Sequence, residues 1–559
     1  MFRWLQPLLR EWIPASTVAT SLTSYLILHK HEPVDFFAVS SLILLPPSVI
    51  AWISHAVQSQ SSPSLTSIFA SYLSLLLGYT IIYRVSPFHP LARYPGPFLA
   101  RVSKLFMVIV VTKGHAHQYY HRLHGKYGDI VRTGPNELSY CNKDGVVPIH
   151  TIPKGPFYAR GSNRGISIVF VRDIALHAKQ RRAWDKGFNG GALKDYEQLF
   201  IKRTQELLEN LESRAALGQI VDMSQWMKYF SFDFMGDMVF THSFDTMKEG
   251  DTSGIIKGVG GSLHVLGIVS HLPWATRWLD EFADFIGLGL ASINIANVIV
   301  DRRIKSGSTS RDLMFHINNE DGKGVIQRTK RQLVAEGLTA MVAGSDTTAI
   351  VLSNLWYYLL IHPVYYKRLQ QEVDATFLRG EDPTDQDRLA GMEFLNACIN
   401  ETLRLAPPLP SGSQRGVPPT ADGKLVGSHL IPGGNNIYLN CYSIHRDSRY
   451  FSPEPNRFWP DRWLSQKDRR AMDDSSRPFD PNTPIIHDLG AYLPFSYGTR
   501  TCVGKTLAQM ELRVVAASVV QKFDMEVADG YDTKQWDRDL QDFYVFKAGP
   551  LPVHLIKRQ

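Results

Sequence analysis

The sequence predicts a mainly α-helical protein set behind an N-terminal membrane anchor. Three observations carry this. Two apolar stretches, Phe36 to Val57 and Leu65 to Tyr83, stand beside each other near the N-terminus, each close to the ~20 residues that cross a bilayer. Helical patterning then fills much of the chain, across residues 194–305 and again from Ile326 to His362. Near the C-terminus a glycine-containing loop, Pro494 to Gly504, delivers one cysteine, Cys502, to the start of another helix. The composition, 44% hydrophobic and 20% charged, is that of a globular chain and not of a disordered one. Cys141, Cys398, Cys441 and Cys502 lack any metal or disulfide spacing, which points to a reducing compartment. The net charge of +7 comes without a basic run interleaved with aromatics. That speaks against a nucleic-acid partner and leaves an acidic redox partner or anionic lipid as its use.

The anchor is expected over residues 1–86. Phe36 to Val57 is interrupted only by serines, His55 and the pair Pro46-Pro47, and Leu65 to Tyr83 carries no charge. Ile13 to Leu28 is a third candidate, shorter and rich in Ser and Thr, so the anchor has two or three spans. No small-residue cleavage site follows it, which argues against a removed signal peptide. The loop Gln58 to Ser64 is uncharged, whereas Arg84, Arg93, Arg101 and Lys104 follow the last span. Everything after Val85 is therefore expected in the cytosol. The N-terminus is cytosolic with two spans and lumenal with three. Residues 87–98 contain Pro87, Pro90, Pro95 and Pro97 and read as a stiff connector. Residues 99–559 form the body.

Within the body, His117 to Tyr127 reads as a helix, Ile130 to Cys141 as a short hairpin and Phe157 to Asp173 as a loop. His177 and Arg181 are four apart and share one helix face, which Lys179, Arg182 and Lys186 make basic. Helices are expected at Asp195 to Arg214, Met223 to Val239 and Ile286 to Ile304, with a Gly- and Ser-rich stretch from Met247 to Leu279. The helix from Ile326 to His362 turns apolar all round after Leu338, as a buried helix does. In its middle stands Ala343-Gly344-Ser345-Asp346-Thr347-Thr348. Poor helix formers grouped inside a strong helix mark a functional position. Asn396 to Leu405 is a further helix, with Glu401 and Arg404 within pairing distance and Pro407-Pro408 as its stop. Leu430 to Asn440 reads as turn and strand, Gln466 to Asp488 as a polar meander and Asp542 to Phe546 as a terminal hairpin.

The loop Pro494-Phe495-Ser496-Tyr497-Gly498-Thr499-Arg500-Thr501-Cys502-Val503-Gly504 enters a segment of good helix composition, Lys505 to Leu512. Unpaired N–H groups at a helix start favour the Cys502 thiolate. A lone thiolate is a poor zinc or disulfide site and a good axial ligand for haem iron. The pattern Phe495-x-x-Gly498-x-Arg500-x-Cys502-x-Gly504 resembles the haem-binding loop of the cytochrome P450 family. Three further motifs stand in the family's order: the hexapeptide at Ala343, Glu401-x-x-Arg404, and Phe458 to Trp463 with Arg462. The resemblance covers roughly residues 90 to 559.

The resemblance implies the cytochrome P450 fold, a large helical haem domain with a small β-rich region. It implies haem b (iron protoporphyrin IX), with Cys502 as the metal ligand and Phe495, Arg500 and Gly504 around it. His177 and Arg181 stand where the family usually has Trp-x-x-x-Arg, and with Arg415 are expected on the haem propionates. Ala343 and Gly344 would form the oxygen groove, Asp346 would relay protons from bulk, and Thr347 would steer them. Glu401, Arg404 and Arg462 would close a buried network fixing the thiolate loop. Asp461 stands where Glu is commoner, and Arg457 competes for the place of Arg462. Leu409 to Ser413 would approach the haem from the distal side. The loop Phe157 to Asp173 would roof the pocket, with Phe157, Ile166 and Phe170 as wall residues. Residues 247–279 would be a mobile lid, and Phe543 or Tyr544 would enter the pocket. Residues 87–98 are similar to the hinge of microsomal members, and the basic helix of Arg181 to the reductase-docking face.

The function so implied is haem-thiolate monooxygenation of a small lipophilic substrate. One atom of O2 is inserted, and electrons come from NADPH through a separate cytochrome P450 reductase, since no flavin domain is apparent. An endoplasmic reticulum membrane location in contact with lipid, and a terpenoid-type secondary metabolite as substrate, follow from the likeness to fungal members. Aromatic or xenobiotic compounds come second. An isomerase or dehydratase, which commonly alters the Asp346–Thr347 pair, and a non-catalytic haem protein come after those.

Overall fold

Proline punctuation and apolar runs set the first elements. The computed structural model describes residues 6–31, 35–57, 63–159, 165–273, 291–322, 327–465 and 483–558. Helices Gln6–His31, Phe36–Val57 and Leu65–Val85 pack on one another around Ile13, Ile50 and Ile68. The second and third are long and apolar enough to cross a membrane. The first has the length but carries an inward stripe of buried Thr17, Ser21 and Ser24. Thr17 and Ser21 bond back to carbonyls of their own helix, Ile13 at 2.8 Å and Val18 at 3.0 Å. Pro46 has no N–H, so the Leu42 carbonyl one turn earlier loses its helical partner. The hydroxyl of Tyr72, fully buried on the third helix, donates to that carbonyl at 2.7 Å.

The proline-containing connector is more than a spacer, because it is clamped to the body. The Arg132 amide donates to Pro95 O at 2.6 Å and the Tyr94 hydroxyl to Leu430 O at 2.9 Å. The buried Arg132 guanidinium donates to the carbonyls of Arg84 and Pro135 at 3.1 and 2.9 Å. Gly96 permits the approach: a Cβ there would stand 2.2 Å from Arg132 O.

The β-rich region is a four-stranded sheet. Ile130–Gly134 and Glu137–Tyr140 pair antiparallel, as the hairpin reading requires. Asn436–Leu439 adds parallel to the second strand, and Arg415–Gly416 pairs with it on the other side. Phe523–Val527, Pro552–Lys557 and Val221–Asp222 make a smaller sheet, and Gln541–Phe543 with Val545–Lys547 a hairpin.

The helical core is built around Lys330–Leu360, 31 residues long. Its start follows from a capping box. Thr329 Oγ1 accepts from the Gln332 amide while Gln332 Oε1 accepts from the Thr329 amide. The sequence-based start at Ile326 lies outside the described residues. The helix stops just before Pro363. It runs against Met223–Phe240, itself buried on nearly every side, and touches Glu393–Leu405 and Lys505–Lys522. Glu393–Leu405 begins earlier than composition suggests. The Glu372 carboxylate accepts from the amides of Phe394 and Leu395 at 2.7 and 2.8 Å, a cap supplied by another helix.

Helices Ile174–Gly187, Gly190–Ala216 and Ala291–Ser306 complete the surround. The expected lid contains a helix, Ile255–Val269, while its last residues, 274–279, lie outside the described residues. So do residues 286–290 of the following helix, 160–164 of the roof loop and 466–482 of the meander.

Candidate active site

The cysteine loop is held by its own backbone first. Ser496 and Gly498 adopt positive φ of 63° and 74°, which turns the chain back so that the Cys502 amide donates to Phe495 O at 2.9 Å. Thr501 Oγ1 donates to the same carbonyl at 3.1 Å. Helix Lys505–Lys522 starts directly afterwards. Cys502 is exposed because it opens onto a cavity, although it lies deep within the body. Burial pushes its thiol above the ordinary range, while the Gly504 amide, Arg181 and Lys505 pull it down. The expected help from backbone N–H groups is present, but burial outweighs it in the free thiol. A bound metal reverses that balance by deprotonating the thiol outright.

Arg181 reaches the loop from the preceding helix. Its Nη1 donates to Thr501 O at 2.7 Å and its Nε pairs with Asp185 at 2.7 Å. Arg500 is tied the other way, donating to the carbonyls of Val171 and Arg172 at 3.0 and 3.2 Å.

Behind the loop, the structure brings Glu401, Arg404 and Arg462 together, all fully buried. Glu401 takes a two-pronged pair from Arg404 at 2.8 Å on each oxygen. It also accepts from Arg462 Nε at 3.0 Å, the Trp463 indole at 2.9 Å and the Trp459 amide at 3.0 Å. These partners hold its carboxyl near 2 against the cost of burial. Arg457 contributes only its backbone carbonyl, and its side chain stays exposed. Asp461 turns away to pair with Arg368. The Arg404 carbonyl accepts from His445 Nδ1 at 3.0 Å, and His445 Nε2 accepts from the Leu493 amide at 2.9 Å. Burial keeps this imidazole neutral, which fits one donating and one accepting nitrogen. The network thus ends on the residue before Pro494.

In front of the loop lies a cavity of about 320 Å3 whose lining includes Phe495, Arg500, Cys502 and Gly504. At one edge Lys154, Arg415 and Arg500 line it together. Lys154 and Arg415 are buried, and the Arg415 Nε has no partner. None of the three has a carboxylate within ion-pair distance among the described residues. Burial pushes all three below their ordinary ranges, and repulsion from the neighbouring cations adds to it at Lys154 and at Arg500, which falls to about 10. His177 is buried behind them and held neutral by burial and the same cations. Buried cations without counter-charge call for an anion. A haem carries its two carboxylates on one edge, and Cys502, in the lining of the same cavity, offers a thiol that could serve as its ligand. The residues present therefore fit the group that the resemblance implies. His177 and Arg181 are not in the lining, whereas Lys154 and His150, missed in the sequence, are.

The central helix lines the same cavity with Ala343, Gly344, Thr347 and Thr348. The Thr347 hydroxyl donates to Ala343 O at 2.5 Å, which satisfies it within the helix while leaving it open to the cavity. Gly344 has a second role: a Cβ there would meet Met235 Sδ at 2.3 Å, so its bareness also seats the neighbouring helix. Asp346 does not line the cavity. It faces the helix Met223–Phe240, its Oδ2 has no partner, and burial pushes its carboxyl up to about 6 against the pull of Lys228. Thr348 Oγ1 donates to Glu511 Oε2 at 3.4 Å. Glu511, also in the lining, has one unpartnered oxygen, and burial pushes it up to about 8.

Leu409, Gly412 and Ser413, from the segment expected to be distal, line the cavity. Of the wall residues, Phe157 lines a smaller adjoining cavity, and Ile166 and Phe170 line neither. Val169 and Tyr158 stand in the main wall instead, because the short 3-10 turn Ile168–Phe170 rotates Phe170 aside. Tyr544 lines both cavities, whereas Phe543 packs on His264 and on Gly267, whose missing Cβ leaves room for it.

Comparison with known proteins agrees with this geometry. The family model described as Cytochrome P450 matches residues 95–549. The chain is 32% identical over 545 residues to cytochrome P450 monooxygenase FCK2 of Fusarium pseudograminearum, covering 95% of this chain and 94% of that protein. It is 30% identical over 499 residues to tryprostatin B 6-hydroxylase of Aspergillus fumigatus, covering 88% and 85%. It is 32% identical over 498 residues to cytochrome P450 monooxygenase sthD of Phaeosphaeria nodorum, covering 86% and 98%.

Proposed function

The chain belongs to the cytochrome P450 family, and from that premise we propose that it hydroxylates a small lipophilic secondary metabolite at the cavity above Cys502. It is a monooxygenase of that family, with haem iron as its cofactor. The observation that carries the reading is the pairing of one cavity-facing thiol with three unneutralised cations at the cavity edge. Haem b, when bound, supplies the oxygen activation and the oxidation of the C–H bond. Cys502 would hold its iron, and Arg415, Arg500 and Lys154 would hold its carboxylates. His177 and Arg181 would act through the loop and the basic cluster. Arg181 does so by bonding Thr501 O, one residue before the ligand.

The chain's own part is proton supply and exclusion of water. Asp346, with a carboxyl near 6, takes and gives a proton at its free Oδ2 near neutral pH. Thr347 presents a hydroxyl to the cavity on the same helical turn, able to pass that proton inward. Glu401, Arg404 and Arg462 keep the loop in place. Electrons would come from NADPH through cytochrome P450 reductase docking on the face of Lys179, Arg182 and Lys186. Two or three of the N-terminal helices, with Phe36–Val57 and Leu65–Val85 as the apolar pair, would hold the protein in the lipid of the endoplasmic reticulum membrane. A hydroxylase among the relatives, named for tryprostatin B, supports hydroxylation of a natural product. Terpenoid-type skeletons are the first class to test and aromatic ones the second.

Turnover tests this in membranes containing a reductase, under heavy-isotope oxygen gas, against a panel of both classes. The expected product carries one labelled oxygen and requires NADPH. Product that forms without label or NADPH overturns the reading in favour of an isomerase.

A further inference from the structure

Beside the main cavity lies a smaller one of about 40 Å3, sharing Gly412 and Tyr544 with it. That is room for a small polar head group. Its lining combines apolar contacts from Val111 and Ala116 with an unusual polar set: Asp542, Tyr120, Tyr438, Ser411, Gln414 and His271. Asp542 is 3% exposed and has no Lys or Arg within ion-pair distance among the described residues. It accepts only from neutral donors, Ser411 Oγ at 3.2 Å, the Tyr544 amide at 3.2 Å and the His117 amide. Those bonds shape the hairpin tip, where Tyr544 holds a φ of 77°, but they leave the charge unbalanced.

Glu137, behind Gln414, and His271, in the lining, are already settled. Glu137 pairs with Lys104 and accepts from Gln414 Nε2 at 2.9 Å. Burial and Lys104 keep His271 neutral. Burial lifts the Asp542 carboxyl to about 6, which still leaves it ionised at neutral pH. The Tyr120 hydroxyl, on a residue 4% exposed, has no hydrogen-bond partner among the described residues and belongs to the same lining. Phe157 and Tyr544 face each other with ring centroids 5.3 Å apart. A lone buried carboxylate among aromatic rings is the chemistry that receives an alkylammonium ion.

We propose that this small cavity anchors a protonated amine on the substrate, with Asp542 as counter-ion and Tyr120, Phe157, Tyr438 and Tyr544 as walls. The carbon skeleton then extends past Gly412 and Tyr544 into the main cavity. The inference rests on the monooxygenase reading for where the reaction occurs, and it narrows that reading to substrates bearing a basic nitrogen.

Binding, and not turnover, tests it, so the two readings fail separately. Full-length holoenzyme in lipid nanodiscs, checked for haem content, is titrated calorimetrically with N,N-dimethyl-4-phenylbutylamine and with its uncharged carbon isostere. The wild type is expected to prefer the amine by roughly tenfold or more. Asp542→Asn should abolish the preference and leave isostere binding unchanged, and Tyr120→Phe should reduce it about threefold. Equal binding of the two probes by the wild type, or a preference that survives Asp542→Asn, overturns the proposal. If Asp542→Asn fails to take up haem, Tyr120→Phe decides: a reduced preference supports the anchor and an unchanged one overturns it. A labelled product from an enzyme without amine preference would leave the monooxygenase standing and remove only the anchor.

Discussion

In the proposed proton relay, Thr347 and Asp346 would divide one task between two faces of the same helical turn. Thr347 opens to the cavity, while Asp346 lies on the side of Lys228. Thr347→Ala should lower product formation by about a hundredfold while NADPH consumption continues, measured as product formed per NADPH. Asp346 has a second signature. Its carboxyl is raised from the ordinary 3.8 to about 6 by burial, so the folded state binds this proton more tightly than the unfolded one. Its cost to stability is absent below about 4 and grows as pH rises through 6. Asp346→Asn is therefore expected to melt higher than the wild type at neutral pH, to match it near pH ~4, and to lose activity. Glu401 has the opposite sign, held at about 2 by Arg404 and Arg462 against an ordinary 4.5. Its contribution is complete above the ordinary value and is lost as pH falls from there toward 2. Glu401→Ala would leave two buried guanidinium groups unpaired at a cost of about 3–5 kcal/mol. Chemical denaturation and haem yield should both report that loss.

Tyr72 does for the second N-terminal helix what backbone cannot do beside a proline. Removing its hydroxyl leaves the Leu42 carbonyl unsatisfied, so Tyr72→Phe should cost about 1–3 kcal/mol in thermal unfolding from membranes. In a Pro46→Ala background the helix regains its own N–H, and the same substitution should cost far less. Elements whose signal is local were legible in the sequence. The hairpin after Ile130, the helix Met223–Phe240 and the cysteine loop each follow from nearby spacing and turn residues. Elements set by distant partners were not. The early start of Glu393–Leu405 depends on Glu372, the clamping of the connector on Arg132, and the place of Phe157 on Tyr544. Lys154 reads as an ordinary lysine until the sheet brings it to Arg415, and Glu511 as an ordinary helix acid until it meets Thr348.

At the scale of the whole molecule, four sequence motifs separated by long intervals come together, two of them lining one cavity and two standing behind its cysteine loop. The central helix forms one wall, the Glu401 network braces the loop from behind, and the β-rich region carries Arg415 to the edge. What the sequence could not show was the electrostatic imbalance of that cavity, which arises only when Lys154, Arg415 and Arg500 meet without a carboxylate. Lys154→Met should weaken haem retention, with haem loss to an acceptor apoprotein rising several-fold, about the worth of one charge-assisted hydrogen bond. All of the proposed chemistry depends on Cys502 supplying a thiolate to a haem seated in this cavity. The most direct test is the carbon monoxide difference spectrum of the reduced protein and of Cys502→Ser. The expected result is the long-wavelength band of a thiolate-ligated haem in the wild type and its loss in the variant. A wild-type band at the position of a histidine-ligated haem, or a thiolate band that persists in Cys502→Ser, would rule out Cys502 as the ligand.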